Sequence, residues 1–86
     1  MHYVYVLQSK TDKNLYIGVT ADLKTRFTKH NSGKVKSTKS RKPLTLVYYE
    51  AYKDKRDATK REYNLKTGQQ RELLKERLKY SISEKT

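Results

Sequence analysis

Residues 3–20 read Tyr3-Val4-Tyr5-Val6-Leu7-Gln8-Ser9-Lys10-Thr11-Asp12-Lys13-Asn14-Leu15-Tyr16-Ile17-Gly18-Val19-Thr20. The segments 3–7 and 14–20 are rich in β-branched and aromatic side chains, which fit a pleated surface and read as strands. Between them Ser9-Lys10-Thr11-Asp12-Lys13 is polar and turn-like, so the pair is predicted to form an antiparallel hairpin. Pairing Val4 with Ile17 and Val6 with Leu15 puts the aliphatic residues on one face. The same register sets Tyr5 opposite Tyr16 on the other.

Working outward, Asp22 reads as the N-cap of a helix ending near Asn31, with Gly33 just beyond. Helical spacing gives that segment an apolar stripe of Leu23 and Phe27, with Arg26 and His30 alongside. Residues 32–43 have no period and carry Lys34, Lys36, Lys39, Arg41 and Lys42, so a basic loop, mobile in isolation, is expected. Residues 44–52 form a third strand. A second helix is predicted from its cap at Asp54 to about Lys66, with Gly68 as its stop. A third runs from about Gln69 to Lys79 and buries Leu73, Leu74 and Leu78. The order β-β-α-β-α-α predicts an α/β-class chain: a small α+β sandwich with a mostly antiparallel three-stranded sheet and flanking helices. One domain over residues 1–80 is expected, with 81–86 a frayed polar tail.

Composition bounds what such a domain can do. A chain of 86 residues buries only about 60% of its unfolded surface, so the core is thin. Charged residues, at 35%, outnumber hydrophobic ones at 34%, a balance that leans towards disorder. The eight tyrosines argue the other way, because disordered chains are poor in aromatics. Twenty-one Lys and Arg against nine acids give a net charge of +12. Self-repulsion on that scale points to a polyanionic partner, although a solvated basic surface is the plainer alternative. The absence of cysteine excludes disulfides, thiolate zinc sites and thiol catalysis, and fits a reducing compartment. No apolar run approaches the roughly 20 residues of a membrane span. Met1–Leu7 lacks the basic start of a signal peptide, so a soluble, cytoplasmic protein without membrane contact is expected.

Three groups of residues can carry chemistry. Glu62 falls between Ala58 and Leu65 on the packed side of the second helix, where an ionised carboxylate needs a cation. An ion pair with Arg26, Arg61 or Lys66 would satisfy it, and so would a hard divalent metal. Arg26 and His30 stand four residues apart beside the apolar stripe. An arginine fork matches a phosphate and a histidine can move a proton near neutral pH; pairing of Arg26 with Asp22 and a helix-closing His30 are equally compatible. Tyr5 and Tyr16 are ordinary strand residues. Beside cations, however, a tyrosine's pKa can fall far enough for it to accept a proton from water.

Tyr3-Val4-Tyr5 followed by Tyr16-Ile17-Gly18, with Arg26, His30-Asn31 and Glu62 in order behind, resembles the GIY-YIG endonucleases over about residues 3–75. Small single-domain members are the nearest likeness, similar to the nuclease half of the nucleotide-excision incision protein and to structure-specific flap and junction nuclease subunits. The resemblance implies a catalytic set of Tyr5, Tyr16, Arg26, His30 and Glu62. Tyr5 and Tyr16 would flank the scissile phosphate, and one of them, helped by His30, would activate water. Arg26 would stabilise the pentacoordinate phosphate, and Glu62 would hold Mg²⁺ or Mn²⁺. Gly18 would let the strand approach substrate, while Lys34, Lys36, Lys39, Arg41 and Lys42 would hold phosphates without reading bases. Tyr3 departs from the motif by standing where its name has Gly.

The implied function is metal-dependent hydrolysis of DNA, single-stranded or branched, in repair or recombination, with DNA ahead of RNA as substrate. The alternatives are a nucleic-acid-binding module without turnover, and an accessory domain active only with a partner. Specificity would come from nucleic-acid shape or a protein partner, and a monomer or weak dimer is expected.

Overall fold

A computed structural model describes residues 1–82 of the chain. Three strands, β1 (His2–Ser9), β2 (Leu15–Thr20) and β3 (Leu44–Tyr52), form one antiparallel sheet in the order β2-β1-β3. Three α-helices follow their predicted positions: α1 (Leu23–Asn31), α2 (Lys55–Leu65) and α3 (Gly68–Arg77). The fold is therefore the expected α+β domain. Side-chain caps start each helix, Asp22 accepting from the Thr25 amide, Asp54 from Arg56 and Thr67 from Gln70.

The alternation of β1 divides the core between two faces. Val4, Val6, Leu15 and Ile17 pack with Ala58 and Leu65 of α2 and with Leu74 and Leu78 beyond. Tyr5, Leu7 and Leu44 pack on the other face with Tyr16, Leu46, and Leu23 and Phe27 of α1. A bulge in β3 lies opposite the Val6/Leu7 step of β1. It sends Leu46 to the α1 side while Val47 and Tyr48 join the α2 side.

The hairpin register differs from the predicted one by two residues. Val4 pairs with Val19 and Val6 with Ile17, so Tyr5 lies opposite Gly18 and Tyr16 opposite Leu7. A slip of two preserves every face assignment, which is why alternation alone did not detect it. The two tyrosines remain diagonal neighbours, their ring centroids 6.3 Å apart.

Other expectations also need correction. Part of the basic loop is a 3₁₀ turn, Lys36–Arg41, anchored to the hairpin. Thr11 Oγ1 donates to the Lys42 carbonyl at 2.9 Å, the Lys10 amide to that of Pro43 at 2.9 Å, and Arg41 pairs with Asp12 at 2.9 Å. Gly68 opens α3 instead of stopping α2, whose cap is Lys66. Leu73 faces solvent at 57% exposure, so α3 buries Leu74 while Leu78 forms its C-cap. Of the expected tail 81–86, Ile82 packs against the core and residues 83–86 lie outside the described residues.

Candidate active site

Tyr5 comes from the central strand, and its phenol is almost closed to solvent at 1% exposure. The last turn of α1 brings His30, itself fully buried, beneath it. His30 Nε2 lies 2.8 Å from Tyr5 Oη, and Nδ1 lies 2.8 Å from Thr38 Oγ1 in the 3₁₀ turn. The Thr38 hydroxyl donates to the Val35 carbonyl at 3.5 Å. The tautomer with the ring proton on Nδ1 serves both contacts, Nδ1–H donating to Thr38 Oγ1 and the Nε2 lone pair facing Tyr5 Oη. The Tyr5 hydroxyl then donates to Nε2. Arg26 Nε donates to Tyr5 Oη from the other side at 3.4 Å, a long and weak bond. Tyr16 completes the group, its ring edge-on to His30 with centroids 5.0 Å apart.

These surroundings set the protonation states. Burial and then the Arg26 charge push His30 down from 6.5 to about 4, so the imidazole is neutral at pH 7. Burial raises Tyr5 above the ordinary phenol value, and the nearby Tyr16 and Glu62 add to this against the opposing pull of Arg26. The expectation that cations lower it is therefore reversed: desolvation wins and Tyr5 stays a phenol. Arg26 is raised, chiefly by its hydrogen bond to Tyr5 and further by Tyr16.

Glu62 belongs to α2, on the opposite face of the sheet, yet its charge acts on Tyr5. Of the three cations considered for it, Lys66 is its partner, at 3.1 Å one helical turn on. Arg61 is taken by Glu50, bonding both carboxylate oxygens at 2.9 and 3.0 Å. Burial alone would raise Glu50, but the Arg61 fork and the Tyr48 and Tyr52 hydroxyls override it and hold the carboxyl below its usual range. Arg26 is turned towards the tyrosines. Glu62 thus keeps a partly exposed carboxylate, at 21%, held among the described residues by the Lys66 ion pair.

Comparison with known proteins shows the family to which this arrangement belongs. Residues 1–78 match the GIY-YIG catalytic domain. The chain belongs to the GIY-YIG family. Among its relatives, a UPF0213 protein of Staphylococcus haemolyticus is 44% identical over 75 residues, covering 86% of this chain and 90% of the relative. A UPF0213 protein of Bacillus pumilus is 48% identical over 67 residues, covering 77% and 67%. The solution NMR structure of a UPF0213 protein from Bacillus halodurans superposes with a TM-score of 0.55 at 41% identity, over 85% of this chain and 80% of that one. The UPF0213 names state no activity, so the likeness to nucleases rests on the catalytic-domain family.

The GIY-YIG glycine, Gly18, has a definite steric reason here. A Cβ at that position would fall 2.5 Å from Tyr5 Oη and 2.6 Å from its Cζ. The space above Gly18 is filled by the Tyr5 ring, so the residue clears room for Tyr5. Tyr5, Tyr16, Arg26 and His30 are brought together and Glu62 lies within electrostatic reach. The loop cations divide: Lys34, Lys36, Lys39 and Lys42 are exposed, whereas Arg41 is half-buried against Asp12.

Sequence reasoning missed two residues of the site. Thr38 lies in a segment without periodicity, where a buried hydroxyl leaves no pattern. Asn31 was noted only beside His30. Its side chain accepts from the Leu44 amide at 2.7 Å and donates to the Leu44 carbonyl at 2.9 Å, tying the end of α1 to β3.

Proposed function

We propose that the protein is a metal-dependent nuclease that hydrolyses phosphodiester bonds in DNA, on single-stranded or branched substrates. The observation that carries this reading is the buried Thr38–His30–Tyr5 chain, with a neutral imidazole lone pair aimed at a phenol and Arg26 on its far side.

Arg26 is the group suited to the phosphate. Its bond to Tyr5, at 3.4 Å, is weak beside what a guanidinium gains from a phosphate oxygen, so the anion takes the fork over and uncovers the phenol. Attack by water then needs a proton acceptor. Tyr5 Oη takes the proton from water while passing its own to His30 Nε2; a solvent water protonates the leaving oxygen, and the proton held on His30 goes back through Tyr5 Oη to the hydroxide so formed. One water is consumed, the P–O bond breaks, and a phosphate monoester and a hydroxyl end result. Tyr16, half-buried beside His30, borders the path of the attacking water. Arg26 remains on the phosphoryl oxygens, where negative charge grows in the transition state.

Among the described residues no group of three or more His, Cys, Asp or Glu could cage an ion alone. A single accessible carboxylate fits Mg²⁺ or Mn²⁺, since a small hard cation keeps several waters and completes its shell with substrate phosphate oxygens. Glu62 would hold it. Once bound, it would supply Lewis-acid stabilisation of the phosphoryl charge. The exposed Lys34, Lys36, Lys39 and Lys42 would hold flanking phosphates without reading sequence.

The test is cleavage of labelled single-stranded, duplex and flapped DNA in Mg²⁺, Mn²⁺ or EDTA. Cutting that requires metal and prefers one DNA form supports the reading. Tight binding without cutting in any metal favours a module without turnover, or one awaiting a protein partner.

A further inference from the structure

Along the outer edge of β2 runs a cleft of about 340 Å³ bordered by Tyr16, Asn14, Asp12, Arg41, Lys66 and Arg71. Three cations there face one carboxylate. Asp12 neutralises Arg41 at 2.9 Å, and Lys66 is held from outside the cleft by Glu62 at 3.1 Å. Arg71, in the first turns of α3, forms no ion pair among the described residues. Its Nε is buried from solvent and makes no hydrogen bond among the described residues. A guanidinium nitrogen closed off from solvent and without an acceptor is an unfavourable arrangement that a folded chain rarely keeps without use. The cleft is also continuous with the chemistry, because Tyr16 forms part of its wall and stands 5.0 Å, ring to ring, from His30.

We propose that this cleft is a phosphate subsite, in which Arg71, supported by Lys66, binds a backbone phosphate of the substrate strand next to the reacting linkage. The inference rests on the nucleic-acid reading above and extends it to a residue outside the Tyr5, Tyr16, Arg26, His30 and Glu62 set. Arg71 lines the cleft, so a turn of its side chain towards a phosphate seated there would bring the closed-off Nε the acceptor it lacks, and a planar guanidinium suits that role better than an ammonium. Fixing a neighbouring phosphate beside Tyr16 also fixes where the scissile one falls relative to Arg26 and Tyr5. Arg71 would thereby set the register of the strand.

The experiment measures binding of fluorescent single-stranded DNA in EDTA over a series of salt concentrations, for the parent, Arg71→Gln and Arg71→Lys. Thermal melts confirm that each variant is folded. Arg71→Gln should bind roughly tenfold or more weakly, and the slope of log K against log salt should fall by about 0.7. Arg71→Lys keeps the charge and should restore the slope with only part of the affinity, which also keeps the test valid if the glutamine variant misfolds. A scan with single neutral methylphosphonate linkages should find one position that weakens the parent and leaves Arg71→Gln unaffected. Equal affinity and slope in parent and both variants, with no linkage that distinguishes them, would overturn the subsite while leaving the nuclease reading intact. A parent that binds no DNA even at low salt would overturn both.

Discussion

Acidifying the protein from pH 7.5 to 4 should remove a defined share of its stability through His30 alone. Burial and Arg26 put the folded imidazole at about 4, against 6.5 for the ordinary group. Above pH 6.5 the side chain is neutral in both folded and unfolded chains, and its contribution is fully present. Below 6.5 the unfolded chain gains a proton that the folded chain resists, so stability falls steadily until the pH reaches the folded value. The full width of that window corresponds to about 3 kcal/mol, an upper figure because the Arg26 side of the site is partly exposed to solvent. A small domain has only about 5–15 kcal/mol to lose, so the effect is large enough to measure. Urea unfolding of the parent and of His30→Gln at half-unit pH steps isolates it. Asp12, Asp22, Glu50 and Asp54 are all held below their ordinary values, so their contributions disappear at the acid end in both proteins. The difference between the two curves should open between pH 6.5 and 4. The His30 ring signals in NMR, assigned by their loss in the variant, should titrate near the lower value. A midpoint near 6.5, or parallel acid losses in parent and variant, would refute the buried neutral imidazole.

Two further perturbations test the same cluster. Thr38→Val strands the His30 Nδ1–H that now finds its acceptor at 2.8 Å. It should cost about 1–3 kcal/mol in chemical denaturation and alter the pH profile of cleavage, while Thr38→Ser should restore both. Gly18→Ala sets a methyl group where the Tyr5 phenol lies, 2.5 Å from its oxygen. Single-turnover cleavage should fall by at least tenfold while DNA affinity holds. Unimpaired cleavage would show that Tyr5 does not have to stay in place.

The fold was legible where the sequence carries a period or a cap. Asp22, Asp54 and the alternating Val4-Tyr5-Val6 segment announce their elements through local chemistry, and the structure keeps all three. What escaped detection depends on tertiary contacts. The two-residue register error left every face unchanged, so only inter-strand bonding distinguishes the alternatives. Leu73 and Leu74 both fit an apolar stripe, and only the position of α3 against the sheet decides which is buried. The candidate site residues follow the same division. Motif order singled out Tyr5, Tyr16, Arg26, His30 and Glu62 as candidates, but not their electrostatics. Tyr5 looked set for a lowered pKa beside cations, and its burial raises it instead. Thr38 and Arg71 give no sequence signal because a buried hydroxyl and an unbonded guanidinium nitrogen exist only once distant segments meet.

Glu62 is expected to serve the chemistry rather than the fold or the grip on DNA. That role is tested most directly by measuring cleavage and DNA binding side by side for the parent and Glu62→Gln, in Mg²⁺ and in EDTA. Among the described residues Glu62 pairs with Lys66, one turn along the same helix, so its loss should change the melting temperature little. The predicted result is metal-dependent cutting by the parent, at least a hundredfold slower in the variant (about 2.7 kcal/mol of barrier), with DNA affinity in EDTA unchanged or slightly stronger. A variant that cuts as fast as the parent would contradict the account.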